Sequence, residues 1–429
     1  MLIKLRINNC LIFDSEVEFS MKANLHLKKF PNNYTQVGSI PVLKSAILFG
    51  PNNTGKTNMV RAIETVQDVL LNRKAEITPN IFSANPVCEF TVWFWEDGAE
   101  YLFEVRYDAE KHAYLYERFA QVTRDGYGNE KETDWLIRDN ENQIYRCADD
   151  KTLEPVMPAA ATDHILVYLV NPERYEVLNR VKTILVSFAS KIDIVDMNNI
   201  PIKKTIDLLK AGEMREKIAN FVRNADLSLE DFRYLSNAEM QQEMPDLEKT
   251  VISGFQTQEK AMATAAPILE MLHLGSVYNG CTLPSVFFDS TGTKKVAALA
   301  SYVLDALNHG RVLVVDELDN SLHFKLTREI IALFNNELNT NAQLIATVHD
   351  VSLLDCKTLF RKDQIWFTHK DHAHAYLYSL ADFTAEKDGV RDSTDLIEKY
   401  RSGCFGALPD PDLFQSLLEV KQNAESSAN

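Results

Sequence analysis

A glycine-containing segment near the N-terminus has residue types that can hold a phosphate group. It reads Gly50-Pro51-Asn52-Asn53-Thr54-Gly55-Lys56-Thr57 and stands between a predicted strand and a predicted helix, the context that a GxxxxGK[ST] phosphate loop requires. The glycines let the backbone wrap a phosphate, the helix N-terminus supplies positive potential, and Lys56 adds a charge. The Thr57 hydroxyl would bind Mg²⁺. The residues predicted to contact the nucleotide are Gly50, Asn52, Asn53, Thr54, Gly55, Lys56, Thr57 and Asn58.

An acidic pair far along the chain could complete such a site. The apolar residues 312–315 are followed by Asp316 and Glu317. An aspartate at the carboxyl end of a strand can hold the magnesium shell, and the next glutamate can polarise an attacking water. Apolar strands that end in acids are common, so the pair is informative only together with the phosphate loop. We predict Asp316 as a metal ligand and Glu317 as a catalytic base.

Two further segments have matching chemistry. Asp289-Ser290-Thr291-Gly292-Thr293-Lys294-Lys295 precedes a predicted helix, so Ser290 and the N–H groups around Gly292 could bind a γ-phosphate at a second helix N-terminus. Thr347-Val348-His349-Asp350 follows a predicted strand. Taken alone, the first segment is typical of a helix cap and the histidine of the second is typical of a structural residue.

The order of these segments resembles that of ABC-type ATPases of the RecF/SMC/OLD kind. Leu318-Asp319-Asn320-Ser321-Leu322-His323, directly after the acidic pair, is similar to their D-loop. The segments 289–294 and 315–319 are most similar to those of the small abortive-infection ATPases of bacterial antiphage systems. The resemblance is dense over about residues 1–73 and 285–370.

This resemblance implies ATP and Mg²⁺ as cofactors and an ATP hydrolase with Glu317 and His349 as catalytic residues. It also implies a homodimer or higher homo-oligomer, in which Ser290 and Gly292 of one copy cover the nucleotide bound to the other. The segment 289–295 is in the position of the family's signature loop. It departs from the usual LSGGQ form because Thr291 and Thr293 stand where glycine and glutamine are common. We therefore expect slow hydrolysis.

Alternating patterns predict the elements that must position these residues. Strands are predicted at 2–7, 17–19, 46–49, 88–95, 101–107, 113–122, 135–144, 312–315, 344–347 and 364–367, and helices at 57–71, 175–192, 203–209, 214–224, 261–273, 294–308 and 324–336. The expected fold is α/β, an ABC-ATPase head with a mainly parallel sheet plus an antiparallel β meander, interrupted by a mostly helical insertion. The expected domains are an N-terminal lobe at 1–120, the inserted subdomain at 121–280 and a C-terminal lobe at 281–429.

Bulk properties narrow the class of protein. The apolar runs are far shorter than the roughly 20 residues of a membrane span, and the N-terminus lacks a secretory signal pattern, so we expect a cytoplasmic protein without membrane contact. The six cysteines form no CxxC pair, which argues against a zinc site or a disulfide framework. The net charge of −16 repels nucleic-acid phosphates over most of the surface.

The resemblance suggests two functions. The first is antiphage defence, in which ATP-dependent dimerisation of the heads controls a toxic effector, a nuclease or other toxin, encoded by a neighbouring gene and released upon a phage-derived trigger. The alternative is a RecF-like ATPase clamp that binds DNA during repair. The acidic charge disfavours the clamp, and a self-contained toxin would need chemistry that the sequence does not contain.

Overall fold

Strands form where apolar and polar residues alternate, or where short apolar runs stand between turns. The computed structural model describes residues 1–125, 129–212, 214–225, 228–243, 270–372, 374–391, 394–408 and 414. In chain order, the strands are β1 (Leu2–Asn8), β2 (Val17–Ser20), β3 (Tyr34–Val37), β4 (Ile40–Leu43), β5 (Ser45–Phe49), β6 (Val87–Glu96), β7 (Ala99–Asp108), β8 (Ala113–Arg124), β9 (Glu130–Asp139), β10 (Ile144–Cys147), β11 (Ile192–Asp196), β12 (Asp231–Tyr234), β13 (Leu274–Tyr278), β14 (Cys281–Pro284), β15 (Val312–Asp316), β16 (Gln343–Thr347), β17 (Ile365–Asp371) and β18 (His374–Ser379).

The helices connect these strands and cover the sheets. In chain order they are α1 (Lys56–Leu70), α2 (Leu166–Leu169), α3 (Glu176–Ser190), α4 (Lys203–Ala211), α5 (Arg215–Asn224), α6 (Asn237–Glu243), α7 (Ser285–Phe288), α8 (Thr291–His309), α9 (Phe324–Asn335) and α10 (Leu396–Arg401). Within the described ranges, none of the helices has the length and apolar character needed to cross a bilayer.

The sheet that carries the predicted phosphate loop is parallel except at one edge. Its strand order is β11-β15-β16-β5-β17-β18, and β18 alone runs antiparallel to its neighbour. Val312 and Val314 of β15 pack in one core with residues of α1 and α3, whereas Leu313 and Val315 pack on the opposite face with residues of α8 and α9. Because both faces are buried, β15 has an unbroken apolar sequence.

The predicted antiparallel meander is a seven-stranded sheet of order β10-β9-β8-β7-β6-β1-β2. The strand predicted at 135–144 is two strands, because a turn after Asp139 separates β9 from β10. The Asp139 carboxylate accepts hydrogen bonds from the N–H groups of Glu141 and Asn142, at 3.1 and 2.9 Å. A short polar side chain can stabilise a turn of this kind by bonding to the backbone ahead of it.

The helix predicted at 175–192 ends earlier than expected and leads into the unpredicted strand β11. This strand pairs in parallel with β15, so that Asp196 lies opposite Asp316. Gln67 of α1 fixes the junction, since its side-chain amide donates to the carbonyls of Ala189 and Ile192. The pairing is a long-range contact that local periodicity cannot reveal.

The described part of residues 121–280 contains strands as well as helices. Position 120 lies inside β8, and β9 to β13 follow it. The division into three domains at 120 and 280 stays a prediction. Most of the helix predicted at 261–273 lies outside the described residues.

A small sheet of order β12-β13-β14 lies beside the N-terminal half of α8. Phe232 of β12 and Leu274 of β13 share a core with Ala297 and Ala300 of α8 and with residues of α4 and α5. This core holds the first turns of α8, and therefore the predicted signature segment, in a fixed position.

Candidate functional site

The predicted phosphate loop connects β5 to α1, and its two glycines stand where a side chain would be unfavourable. Gly50 has a φ of +155°, and a Cβ added there would lie 2.4 Å from Thr368 Oγ1 and 2.5 Å from the Thr368 carbonyl oxygen. Gly55 has a φ of +118° and lies against Ile12 and Phe13. The loop therefore depends on glycine both for its backbone conformation and for its close approach to β17.

Lys56, the first residue of α1, lies under this loop. Its side chain is buried, and Nζ donates to the carbonyl oxygens of Gly50 and Pro51 at 2.6 and 2.9 Å. Burial lowers the pKa of Lys56, whereas the nearby carboxylates of Asp316, Asp319 and Glu317 act to raise it. The lysine is thus next to the acidic segment that lies 260 positions later in the sequence.

The other residues of the loop differ in exposure. Thr54 is buried, with its hydroxyl 2.8 Å from the Pro51 carbonyl and 2.7 Å from Thr368 Oγ1. Asn52, Asn53 and Thr57 are exposed, and Asn58 is partly buried. Of the residues predicted to contact the nucleotide, Asn52, Asn53 and Thr57 are therefore accessible, whereas Thr54 and Lys56 are buried.

Asp316 is the last residue of β15, and it is fixed by the neighbouring strand. Thr347, the last residue of β16, donates its hydroxyl to Asp316 Oδ1 at 2.5 Å and accepts the N–H of Glu317 at 2.7 Å. Because β15, β16 and β5 run parallel, their carboxyl ends meet at one edge of the sheet. This edge brings together Gly50, Asp316 and the segment that contains His349.

The carboxylate of Glu317 is held by two amides. Asn198 and Asn320 each donate Nδ2 to Glu317 Oε2 at 2.9 Å, and His349 Nε2 lies 3.7 Å from Oε1. These hydrogen bonds, Asn320 first and Asn198 second, lower the pKa of Glu317, and the charge of His349 adds to the effect. Glu317 also has a left-handed backbone, with φ of 56°, a conformation that costs a non-glycine residue about 1 kcal/mol or more.

The segment that contains His349 is bound to the one after Glu317. Asp319 Oδ2 accepts the N–H groups of His349 and Asp350, at 2.8 and 2.6 Å. The His349 side chain remains partly exposed. The predicted D-loop and the segment that contains His349 are therefore one hydrogen-bonded unit.

The Ser290 turn contacts this unit from the other side. Ser290 caps α8 by accepting the N–H of Thr293 at 3.1 Å, and a Cβ on Gly292 would lie 3.1 Å from the Ser321 carbonyl oxygen. Lys295 donates to Asn320 Oδ1 at 3.0 Å. The turn thus lies against the D-loop of its own chain, and Ser290 is exposed.

Sequence analysis did not identify four residues that shape this edge as site residues: Asn198, Asp319, Thr347 and Thr368. Asp319 and Thr347 lie inside two segments that the sequence already indicated as functional, so both residues could have been proposed from the sequence. Asn198 was missed because β11 was missed, although the alternating residues 192–196 are a strand pattern. Nothing local distinguishes Thr368 on β17.

Among the solved structures that are similar to this chain are three SMC head domains. The SMC head domain from Thermotoga maritima has a TM-score of 0.38 at 12% identity, covering 88% of this chain and 98% of its own. An Smc head bound to the C-terminal winged-helix domain of ScpA has a TM-score of 0.45 at 13% identity, with coverages of 90% and 99%. An Smc head domain with an extended coiled coil, bound to the C-terminal domain of ScpA derived from Pyrococcus furiosus, has a TM-score of 0.40 at 13% identity. The match covers 93% of this chain and 99% of that chain.

No curated protein matches the chain. A protein family does: the family described as "AAA domain, putative AbiEii toxin, Type IV TA system" matches residues 45–355. This range is more than half of the 429 residues and contains the phosphate loop, the Ser290 turn, the acidic pair and His349. The chain therefore belongs to this family of AAA domains.

Proposed function

We propose that this protein binds ATP with Mg²⁺ at the carboxyl edge of its parallel sheet and hydrolyses it when two copies face each other. The observation that carries the proposal is the convergence of Lys56, Asp316, Glu317 and His349 at that edge from three separate parts of the chain. Membership of a family of AAA domains also supports ATP binding and hydrolysis.

The residues at this edge fit a nucleotide with magnesium. Lys56 Nζ is held by the loop carbonyls of Gly50 and Pro51, so its ammonium group is placed where a phosphate chain would enter the loop. Thr57 and Asp316 offer a hydroxyl and a carboxylate, the hard oxygen ligands that Mg²⁺ prefers. When bound, magnesium neutralises charge on the phosphate oxygens.

Glu317 would act on the attacking water. Its amide partners Asn198 and Asn320 keep the carboxylate ionised and fix its direction, as a general base requires. One oxygen, Oε1, lies on the side of His349. His349 would donate a hydrogen bond to the terminal phosphate and thereby link Glu317 to the state of the nucleotide.

A second copy would complete the site. Ser290 is exposed at the N-terminus of α8, and the neighbouring Gly292 lies against Ser321 of the D-loop of the same chain. The N-terminus of a helix of this length has positive potential suited to a phosphate. We therefore place Ser290 and Gly292 on the nucleotide of the facing copy, so that ATP joins the two heads and hydrolysis releases them.

For the biological role, we propose control of a toxic effector supplied by a neighbouring gene in antiphage defence. The family description, with its putative AbiEii toxin and Type IV toxin–antitoxin system, supports this choice over a RecF-like DNA clamp. Co-expression with the neighbouring gene tests it: toxicity that depends on Lys56 and Glu317 is expected, and toxicity indifferent to both would contradict the role.

The enzymatic proposal is tested with two variants of the full chain. Glu317→Gln removes the base while keeping the shape, so it should accumulate an ATP-bound dimer in size-exclusion chromatography with light scattering. Lys56→Ala should bind ATP at least about tenfold more weakly, because a charge-assisted phosphate contact is lost, and should stay monomeric. A Glu317→Gln protein that remains monomeric with saturating ATP and Mg²⁺ would refute the proposal.

A further inference from the structure

Asp289 is a buried carboxylate directly in front of the Ser290 turn, and the mechanism above does not use it. It is 6% exposed. Ser276 and Ser285 donate their hydroxyls to Oδ2 at 2.5 Å each, and Tyr278 donates its hydroxyl to Oδ1 at 2.7 Å. Three hydroxyl donors on one carboxylate compensate the cost of removing the charge from water.

These donors come from two different elements. Ser276 and Tyr278 belong to β13, the central strand of the small sheet, and Ser285 begins α7. Burial raises the pKa of Tyr278 to about 12, and its hydrogen bond to Asp289 adds to this effect. Asp289 therefore connects the start of α8 to the small sheet through hydrogen bonds, in addition to the apolar packing between them.

The position of Asp289 in the chain gives these bonds a consequence. Asp289 precedes Ser290, the N-cap of α8, whose backbone is extended with φ −63° and ψ 158°. Since consecutive residues share a planar peptide bond, fixing the Asp289 side chain and backbone limits the directions in which the Ser290 hydroxyl and the first N–H groups of α8 can point. The Asp289 N–H is also bonded, to the Ser285 carbonyl at 3.1 Å.

We propose that Asp289 is a positioning residue that orients the Ser290–Gly292 turn toward the nucleotide of the facing copy. This inference rests on the proposed function. It predicts that loss of the carboxylate impairs the joining of two heads while leaving the binding of ATP to each head intact, because Lys56 and the phosphate loop lie on a different part of the chain.

The experiment uses the full chain carrying Glu317→Gln, so that ATP is not consumed. Asp289→Ala and Tyr278→Phe are each added to it. ATP- and Mg²⁺-dependent dimerisation is measured by analytical ultracentrifugation over a concentration series, and ATP binding is measured with a fluorescent ATP analogue at concentrations where the protein is monomeric. Thermal melting reports stability.

Asp139→Ala is the matched control. Asp139 is also 6% exposed, and it accepts three hydrogen bonds, from the N–H groups of Glu141 and Asn142 and from Asn142 Nδ2. It is the last residue of β9 and stabilises the turn that leads into β10. The Asp139→Ala variant should lower the melting temperature without changing dimerisation. It therefore shows whether a loss of stability alone can weaken dimerisation.

We expect Asp289→Ala to weaken dimerisation by about tenfold or more and Tyr278→Phe by about threefold, in line with the loss of three or one hydrogen bonds to a charge. ATP binding to the monomer should change by less than about twofold. If Asp289→Ala does not fold, Tyr278→Phe decides. Unchanged dimerisation in the folded variants, in a parent that does dimerise, overturns this inference alone. A parent that stays monomeric overturns the proposed function as well.

Discussion

Only glycine fits at position 50 of the phosphate loop. Two constraints act on it at once: its positive φ, and the approach of Thr368 to within 2.5 Å of where a Cβ would stand. The first constraint costs an L-residue about 1–3 kcal/mol. The second cannot be relieved by a rotamer change, since one of the atoms approached is a backbone carbonyl.

We therefore expect Gly50→Ala to displace the phosphate loop from β17 and to weaken ATP binding by more than about tenfold. Gly98→Ala is the control, because Gly98 also has a positive φ, of +75°, but no atom lies within 4 Å of its Cβ position. Gly98→Ala should lower the melting temperature about as much as Gly50→Ala does, and it should leave ATP affinity unchanged. Isothermal titration with ATP and thermal melting of both variants measure the two effects. Equal ATP affinity in both would show that the contact with Thr368 is unimportant.

At the scale of elements, β11 has an importance that its five residues do not suggest. By pairing with β15 it places the residues after Asp196 beside those after Asp316. Asn198 thereby reaches Glu317 Oε2 and also accepts from Asn320 Nδ2 at 2.8 Å. Glu317, the proposed catalytic base, is thus oriented by two loops that follow two adjacent strands.

Asn198→Ala should lower the rate of ATP hydrolysis by about tenfold, because a charge-assisted hydrogen bond that orients Glu317 is lost. ATP affinity should be unchanged, since Asn198 does not contact the phosphate loop. Steady-state hydrolysis together with ATP titration separates the two quantities. Asn199→Ala is the neighbouring control, with an exposed side chain, and should behave as the parent. A matching loss in Asn199→Ala would instead indicate a general disturbance of this loop.

At the scale of the whole molecule, charge separates the two candidate roles. The chain has 45 basic and 61 acidic residues, a net charge of −16. A protein that tracks DNA neutralises several phosphates with lysine and arginine, and its affinity falls steeply with salt. The proposed assembly through ATP would rely on local contacts of Lys56 and of the Ser290 turn with one nucleotide, so the overall charge argues less strongly against it.

We expect no retention of duplex DNA in a filter-binding assay at about 0.15 M salt, with or without ATP, because the surface charge repels the phosphate backbone. The assay is repeated across a salt series with the Glu317→Gln protein, so that the ATP-bound form is included. Tight binding that weakens steeply as salt rises would favour the DNA clamp over the effector-controlling role.

The sequence by itself determined the chemistry of the individual segments. A GxxxxGK[ST] loop between a strand and a helix, an apolar strand ending in two acids and a serine before a helix are local patterns, and their identity depends on residues next to one another. The mainly parallel sheet and the antiparallel meander were predicted correctly for the same reason, since periodicity is a local property.

Only the tertiary structure decided which segments meet. The pairing of β11 with β15 and the hydrogen bonds of Asn198 to Glu317, of Asp319 to His349 and of Asp289 to β13 join residues that are up to 120 positions apart. Such contacts are selected by the burial of both faces of a sheet and by the satisfaction of buried polar groups across the whole molecule. A short stretch of sequence does not contain that information, because the residues next to each partner give no sign of which distant residue it will contact.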